Sequence, residues 1–97
     1  FTHGEEGKKV QFIVLDTRFF RDPLVPTDAP AKGKERYIPH NASDNASILG
    51  AEQWAWLEDK LKEPAQIRII ISSIQLVATN QGWEKWGNMP NGKDFLI

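Results

Sequence analysis

Two short stretches of the chain are apolar at nearly every position, and one longer stretch is apolar at helical spacing. Val10-Gln11-Phe12-Ile13-Val14-Leu15 is rich in β-branched and aromatic residues, with Gly4 and Gly7 before it and Asp16 after it. That composition and punctuation predict a strand. Val10, Phe12 and Val14 fall on one face, and Gln11, Ile13 and Leu15 on the other. Both faces are mainly apolar, as in a strand covered on both sides of a sheet. Ile67-Arg68-Ile69-Ile70-Ile71 has the same character and predicts a second strand. Between them, Ala51 to Lys62 repeats Ala51, Trp54, Leu57 and Leu61 with helical period, while Glu58, Asp59, Lys60 and Lys62 are polar. Ser47 or Gly50 stands where a cap is needed, Glu52 lies in the first turn where the helix dipole favours an anion, and Pro64 ends the helix. Trp56 falls beside the apolar stripe, a position at the rim.

Residues 22–48 lack any such period. Pro23, Pro26, Pro30 and Pro39 break the stretch, and it carries Gly33 and the near-repeat Asn41-Ala42-Ser43 and Asn45-Ala46-Ser47. A long surface loop is expected, of the kind that serves as a lid or stays mobile. Both triplets match the N-glycosylation acceptor pattern, and a polar loop without sugar is the simpler reading. A strand, a long loop, a helix and a strand in that order predict an α/β fold whose two strands run parallel through a crossover. In the tail, Trp83 and Trp86 are spaced to share a helical turn. Two strands and one helix leave apolar faces and edges that a soluble domain must cover. Phe1 stands where Met is usual and the chain stops at Phe95-Leu96-Ile97, so residues 1–97 are expected to be a partial domain cut at both ends.

Composition narrows the function classes. Twelve Lys and Arg against thirteen Asp and Glu give a formal charge of −1 over 97 residues, without the basic excess of a dedicated nucleic-acid binder. No apolar run is long enough to span a membrane. The chain has no Cys, which removes disulfides, zinc–thiolate sites and a thiol nucleophile. No signal peptide is visible, nor any Gly-rich phosphate loop, Ser elbow or HExxH motif. His3 and His40 are far apart and do not establish a metal site.

Open α/β sheets bind ligands beyond the carboxyl ends of their parallel strands. Asp16, Thr17 and Arg18 follow the first strand, and Ser72, Ser73 and Gln75 follow the second. A guanidinium fork beside hydroxyls and an amide suits an oxyanion. Asp16 is placed to bind a hard cation or to hold Arg18. The alternative is structural: Asp16 and Arg18 form an ion pair, and the serines satisfy backbone groups.

Four blocks also resemble a known family. VQFIVLDTR at Val10 to Arg18, followed by Phe19-Phe20-Arg21-Asp22, looks like the strand and turn of PhoD-like alkaline phosphatases. Ile48 to Leu57, ILGAEQWAWL, resembles that family's LG-x-x-QW-x-WL helix start. IIISSIQ at Ile69 to Gln75 and WEKWGN at Trp83 to Asn88 resemble two further blocks, in the same order. The resemblance runs from about residue 8 to 90. After Pro90 relatives carry an HER-like helix, and this chain departs from it with Asn91-Gly92-Lys93-Asp94.

The resemblance implies a fragment of a calcineurin-like metallophosphatase β-sandwich flanked by helices. It implies an exported parent, periplasmic or extracellular, that hydrolyses phosphate esters with calcium and iron. The family's Asp-rich metal motifs precede this segment and its GD-x-H-type motif follows it, so the fragment alone is expected to bind no full metal set and to be inactive without the rest of the parent chain. Serines occupy the turn where the wider superfamily often has a metal-binding His, so no metal role passes to Ser72 or Ser73. Asp16, Arg18, Ser72, Ser73, Gln75 and Asn88 are the candidates for contacting substrate or for supporting residues that do. The rival expectation is a small non-catalytic α/β module that binds an anion or a protein.

Overall fold

In chain order the elements are β1 (Thr2–His3), β2 (Val10–Val14), β3 (Val25–Pro26), β4 (Tyr37–Ile38), α1 (Ala51–Lys62) and β5 (Ile67–Ile71), followed by a 3₁₀ turn at Trp86–Asn88. They belong to a computed structural model that describes residues 1–27, 36–41, 43–77 and 84–90. β2 and β5 pair in parallel, in register from Val10 with Ile67 to Val14 with Ile71. This is the crossover the pattern predicts. β1 adds an antiparallel edge to β2, giving the order β1-β2-β5, and Phe1 stacks on Phe12 with ring centroids 5.0 Å apart. β3 and β4 form a separate antiparallel ladder. Among the described residues the content is mixed α/β, with a small three-stranded sheet and one α-helix.

The two faces of β2 have different fates. Gln11, Ile13 and Leu15 are buried, while Val14 is 65% exposed, and its neighbours on β5, Ile67, Ile69 and Ile71, are exposed as well. Among the described residues the expectation of a sheet covered on both faces holds only for the Gln11, Ile13 and Leu15 face of β2; Ile70, beside Ile13 on that face of β5, is 47% exposed. The covered side joins a core of Ile13, Leu15, Ile48, Leu49, Leu57, Ile74, Trp86 and Met89. Ile48 and Leu49 come from the end of the Pro-rich stretch, and Trp86 and Met89 from the tail. Segments without apolar period therefore supply half of this core.

Helix α1 buries Leu57, and Trp54 packs against the core with its ring edge toward Trp86, centroids 6.0 Å apart. Leu61, expected on the packed stripe, is 37% exposed. The last turn is held by polar contacts instead: the Gln11 amide donates to the Lys60 carbonyl at 2.9 Å and to Glu63 Oε2 at 3.2 Å. Gly50 caps the other end with φ 78° and ψ 157°, a region open almost only to glycine. Ser47 Oγ lies one turn earlier and accepts from the Gly50 N–H and the Trp54 indole N–H, each at 3.0 Å. Of the stretch 22–48, residues 28–35 and 42 lie outside the described set, as does Trp83 of the paired tryptophans.

Candidate functional site

The carboxyl ends of β2 and β5 bring Thr17 and Ser73 together, with hydroxyls 2.6 Å apart. Thr17 is buried. The two clusters named from sequence therefore meet, as parallel neighbours must when their registers match. Asp16 does not engage the Arg18 guanidinium. Its Oδ1 accepts the backbone N–H groups of Arg18 at 2.9 Å and Phe19 at 3.0 Å, the local turn typical of aspartate. Those N–H groups, Phe19 first and then Arg18, hold its carboxyl below the ordinary value of 3.8.

Gln53, on the first turn of α1, fixes this junction. Its Oε1 accepts from Asp16 N–H at 2.8 Å and its Nε2 donates to the Asp16 carbonyl at 2.8 Å and to the Leu49 carbonyl at 3.1 Å. A side-chain amide has both a donor and an acceptor, so it can extend the backbone pairing of an extended strand. An open cleft of about 480 Å³ lies beside it, lined by Val14, Asp16, Phe20, Leu49, Gln53 and Trp56.

Arg18 reaches instead to the tail, where its Nη2 lies 2.8 Å from Glu84 Oε1. Arg21 Nη1 is 3.9 Å from the same oxygen. That nitrogen is buried and has no hydrogen-bond partner among the described residues. The Glu84 carboxyl is held below 4.5, first by its own backbone N–H and then by the charges of Arg18 and Arg21. The remaining candidates make contacts within the framework. Ser72 Oγ donates to the Ile74 carbonyl at 2.7 Å and accepts the Trp86 indole N–H at 3.0 Å. The Gln75 carbonyl accepts Trp86 N–H at 3.2 Å, and its side chain is exposed. Asn88 is fully buried, and its Oδ1 accepts the Lys85 N–H at 2.8 Å.

A family model for PhoD-like phosphatase matches residues 1–94. The chain belongs to the PhoD-like phosphatase family. No match was found among curated proteins or among solved structures. PhoD-like phosphatases are metal-dependent in general, so the fit of this chain's donors to a metal matters. Among the described residues no group of three or more His, Cys, Asp and Glu converges. His40 is occupied elsewhere: Nδ1 lies 3.2 Å from Asp44 Oδ2 and Nε2 lies 2.9 Å from the Pro23 carbonyl. His3 is exposed on the edge strand β1. The described part of this PhoD-like chain does not fit a metal centre. Three residues that position the junction, Gln53, Arg21 and Glu84, were not singled out from sequence as site residues. Each sits within a block that resembles the family, but its role depends on contacts between distant segments.

Proposed function

We propose that this chain is the part of a PhoD-like phosphoester hydrolase that brings a guanidinium to the carboxyl ends of two parallel strands. The observation that carries this reading is the Thr17–Ser73 contact with Arg18 one residue beyond it, the place where α/β sheets bind ligands. Family membership makes a phosphate ester the substrate class. Arg18 would hold a phosphoryl oxyanion through two parallel N–H donors, and Asp16 would shape the turn that presents it. Thr17, Ser73 and Gln53 keep that turn in place. The metal ions, calcium and iron by resemblance, belong in this proposal to residues other than those described, and export to the periplasm or the cell exterior is part of the same proposal.

The test uses a longer parent containing this segment, assayed with an aryl phosphate. Arg18→Lys should lower kcat/KM by about 10–1000-fold, on the order of 1.4–4 kcal/mol, with little change in melting temperature. Lost stability or metal content with unchanged kcat/KM would remove Arg18 from substrate binding. The purified 97-residue chain should show no chelator-sensitive turnover, and turnover that scales with protein and vanishes with chelator would overturn the division of labour.

A further inference from the structure

Arg21 Nη1 poses a problem of accounting. Buried donors are almost always satisfied, and a cation's donor left without an acceptor costs more than a neutral one. Among the described residues the nearest acidic oxygen, Glu84 Oε1, is 3.9 Å away and is already bonded to Arg18 at 2.8 Å. The neighbouring carboxylates have other work. Asp16 Oδ1 accepts two backbone N–H groups, and Asp22 Oδ2 accepts Ser47 N–H at 2.7 Å. Two guanidiniums thus share one carboxylate, leaving one positive charge and one buried donor over. Glu84 supplies a single carboxylate that serves one arginine well and the other poorly. A phosphoryl group has three oxygens and more negative charge, and can serve both forks.

We propose that Arg18 and Arg21 form an oxyanion site, that Glu84 occupies it in the ligand-free chain, and that a phosphoryl oxyanion binds by displacing the Glu84 carboxylate into solvent. The proposal rests on the phosphatase reading for the identity of the oxyanion, and on the orphaned Arg21 nitrogen for the site itself. Arg18 is mostly solvent-exposed and so offers the approach, whereas Arg21 and Glu84 are largely covered. Glu84 is then a competitor built into the chain: it keeps two cations apart from random anions and sets how much charge an incoming ligand must carry.

The experiment titrates inorganic phosphate, and separately phenyl phosphate, into the 97-residue chain at pH 7.5. Arginine side-chain N–H resonances report binding, and circular dichroism confirms the fold of each variant. Wild-type affinity is expected to be weak, on the order of millimolar. Glu84→Gln should tighten phosphate about tenfold or more, because an opposing charge a few ångströms from both guanidiniums is gone. Arg21→Lys keeps the charge and loses the fork, and should weaken phosphate about threefold or more. Chloride at the same ionic strength should leave the resonances unmoved. Binding of either phosphate compound with this pattern supports the site, and the ester binding at least as well as free phosphate marks it as a substrate site. Glu84→Gln binding no tighter than wild type, Arg21→Lys binding as well, or chloride shifting the same resonances overturns it. Failure here with a parent that still loses activity on Arg18→Lys refutes the Arg21–Glu84 arrangement alone, while the phosphatase reading stands or falls by its own assay.

Discussion

Replacing Gln11 by Leu preserves the approximate volume of a side chain that is 2% exposed, and burial of apolar area alone predicts a gain of about 1–2 kcal/mol. The hydrogen bonds predict the opposite. Gln11 Oε1 accepts from Arg68 Nε, and Gln11 Nε2 donates to the Lys60 carbonyl at 2.9 Å. The first is charge-assisted and contributes about 1.5–3 kcal/mol, the second about 0.5–1.5. Arg68 keeps its Nη2 bond to the Glu63 carbonyl at 2.7 Å, the Lys60 carbonyl keeps the Glu63 N–H at 3.2 Å, and the Glu63 carboxylate, which loses its 3.2 Å bond from Gln11, keeps Lys60 Nζ at 2.8 Å, so none of the three partners is stripped. The net expectation is a loss of about 1–2 kcal/mol, or roughly 5–15 °C in Tm for a domain of this size. Urea melts of Gln11→Leu, Arg68→Met and the double variant measure it. In the Arg68→Met background, Gln11→Leu should cost much less, with a coupling of about 1 kcal/mol or more. An unfolding free energy equal to or above wild type for Gln11→Leu, or additive losses in the cycle, would refute the claim that a polar bridge, rather than apolar contact, holds the last turn of α1 to β2.

Gly50→Ala should destabilise by about 1–3 kcal/mol in the same melts, since φ 78° excludes a side chain and the new Cβ would meet Phe20 Cβ at 3.3 Å; an unchanged midpoint would show that the cap relaxes freely. Trp86→Phe removes the indole N–H that Ser72 accepts at 3.0 Å and part of a side chain that is 1% exposed, and should cost about 1–3 kcal/mol by the same measurement. Glu84 gives the pH prediction: its carboxyl is depressed below 4.5 in the folded chain, so its contribution is present above that value and is lost as pH falls through the depressed native one. Melting temperature followed from pH 6 downward should therefore fall less steeply in Glu84→Gln than in wild type, and superimposable acid limbs would remove the Arg18–Glu84 pair from the stability of the fold.

Much of the framework was legible from apolar runs and spacing. The β-branched runs at Val10–Leu15 and Ile67–Ile71 are nearly continuous, Trp54 and Leu57 carry a helical spacing, and the helix between the runs supplies the crossover that their parallel pairing needs. Ile48, Leu49 and Met89 were not read as core, since single apolar residues in irregular segments have no period, and only the folded chain shows them fully buried. Gln11 looked like an ordinary polar interruption of a strand. At the junction, proximity of the Asp16–Arg18 and Ser72–Ser73 clusters follows from strand order alone. The choice of Glu84 over Asp16 as the partner of Arg18 does not, because it depends on where a distant tail segment lies. Asp16, next to two free backbone N–H groups, satisfies them locally first.

The register of β2 against β5 also governs how the chain reaches its fold. Gln11 and Arg68 are 57 residues apart in sequence, so the central ladder closes a long loop before any of its hydrogen bonds form. Closure entropy grows only slowly with loop length, but it is lost in advance of the contacts that repay it. Helix α1 forms on a submicrosecond to microsecond scale from local bonds and carries Gln53 and Leu57 with it, two of the groups that receive β2. The second strand follows the helix after a short connection, so helix and second strand are local neighbours and the first strand is the one that must close the long loop. The first strand therefore arrives late, and until it does one edge of Ile67–Ile71 has no partner, so its isoleucines, exposed even in the folded chain, favour association.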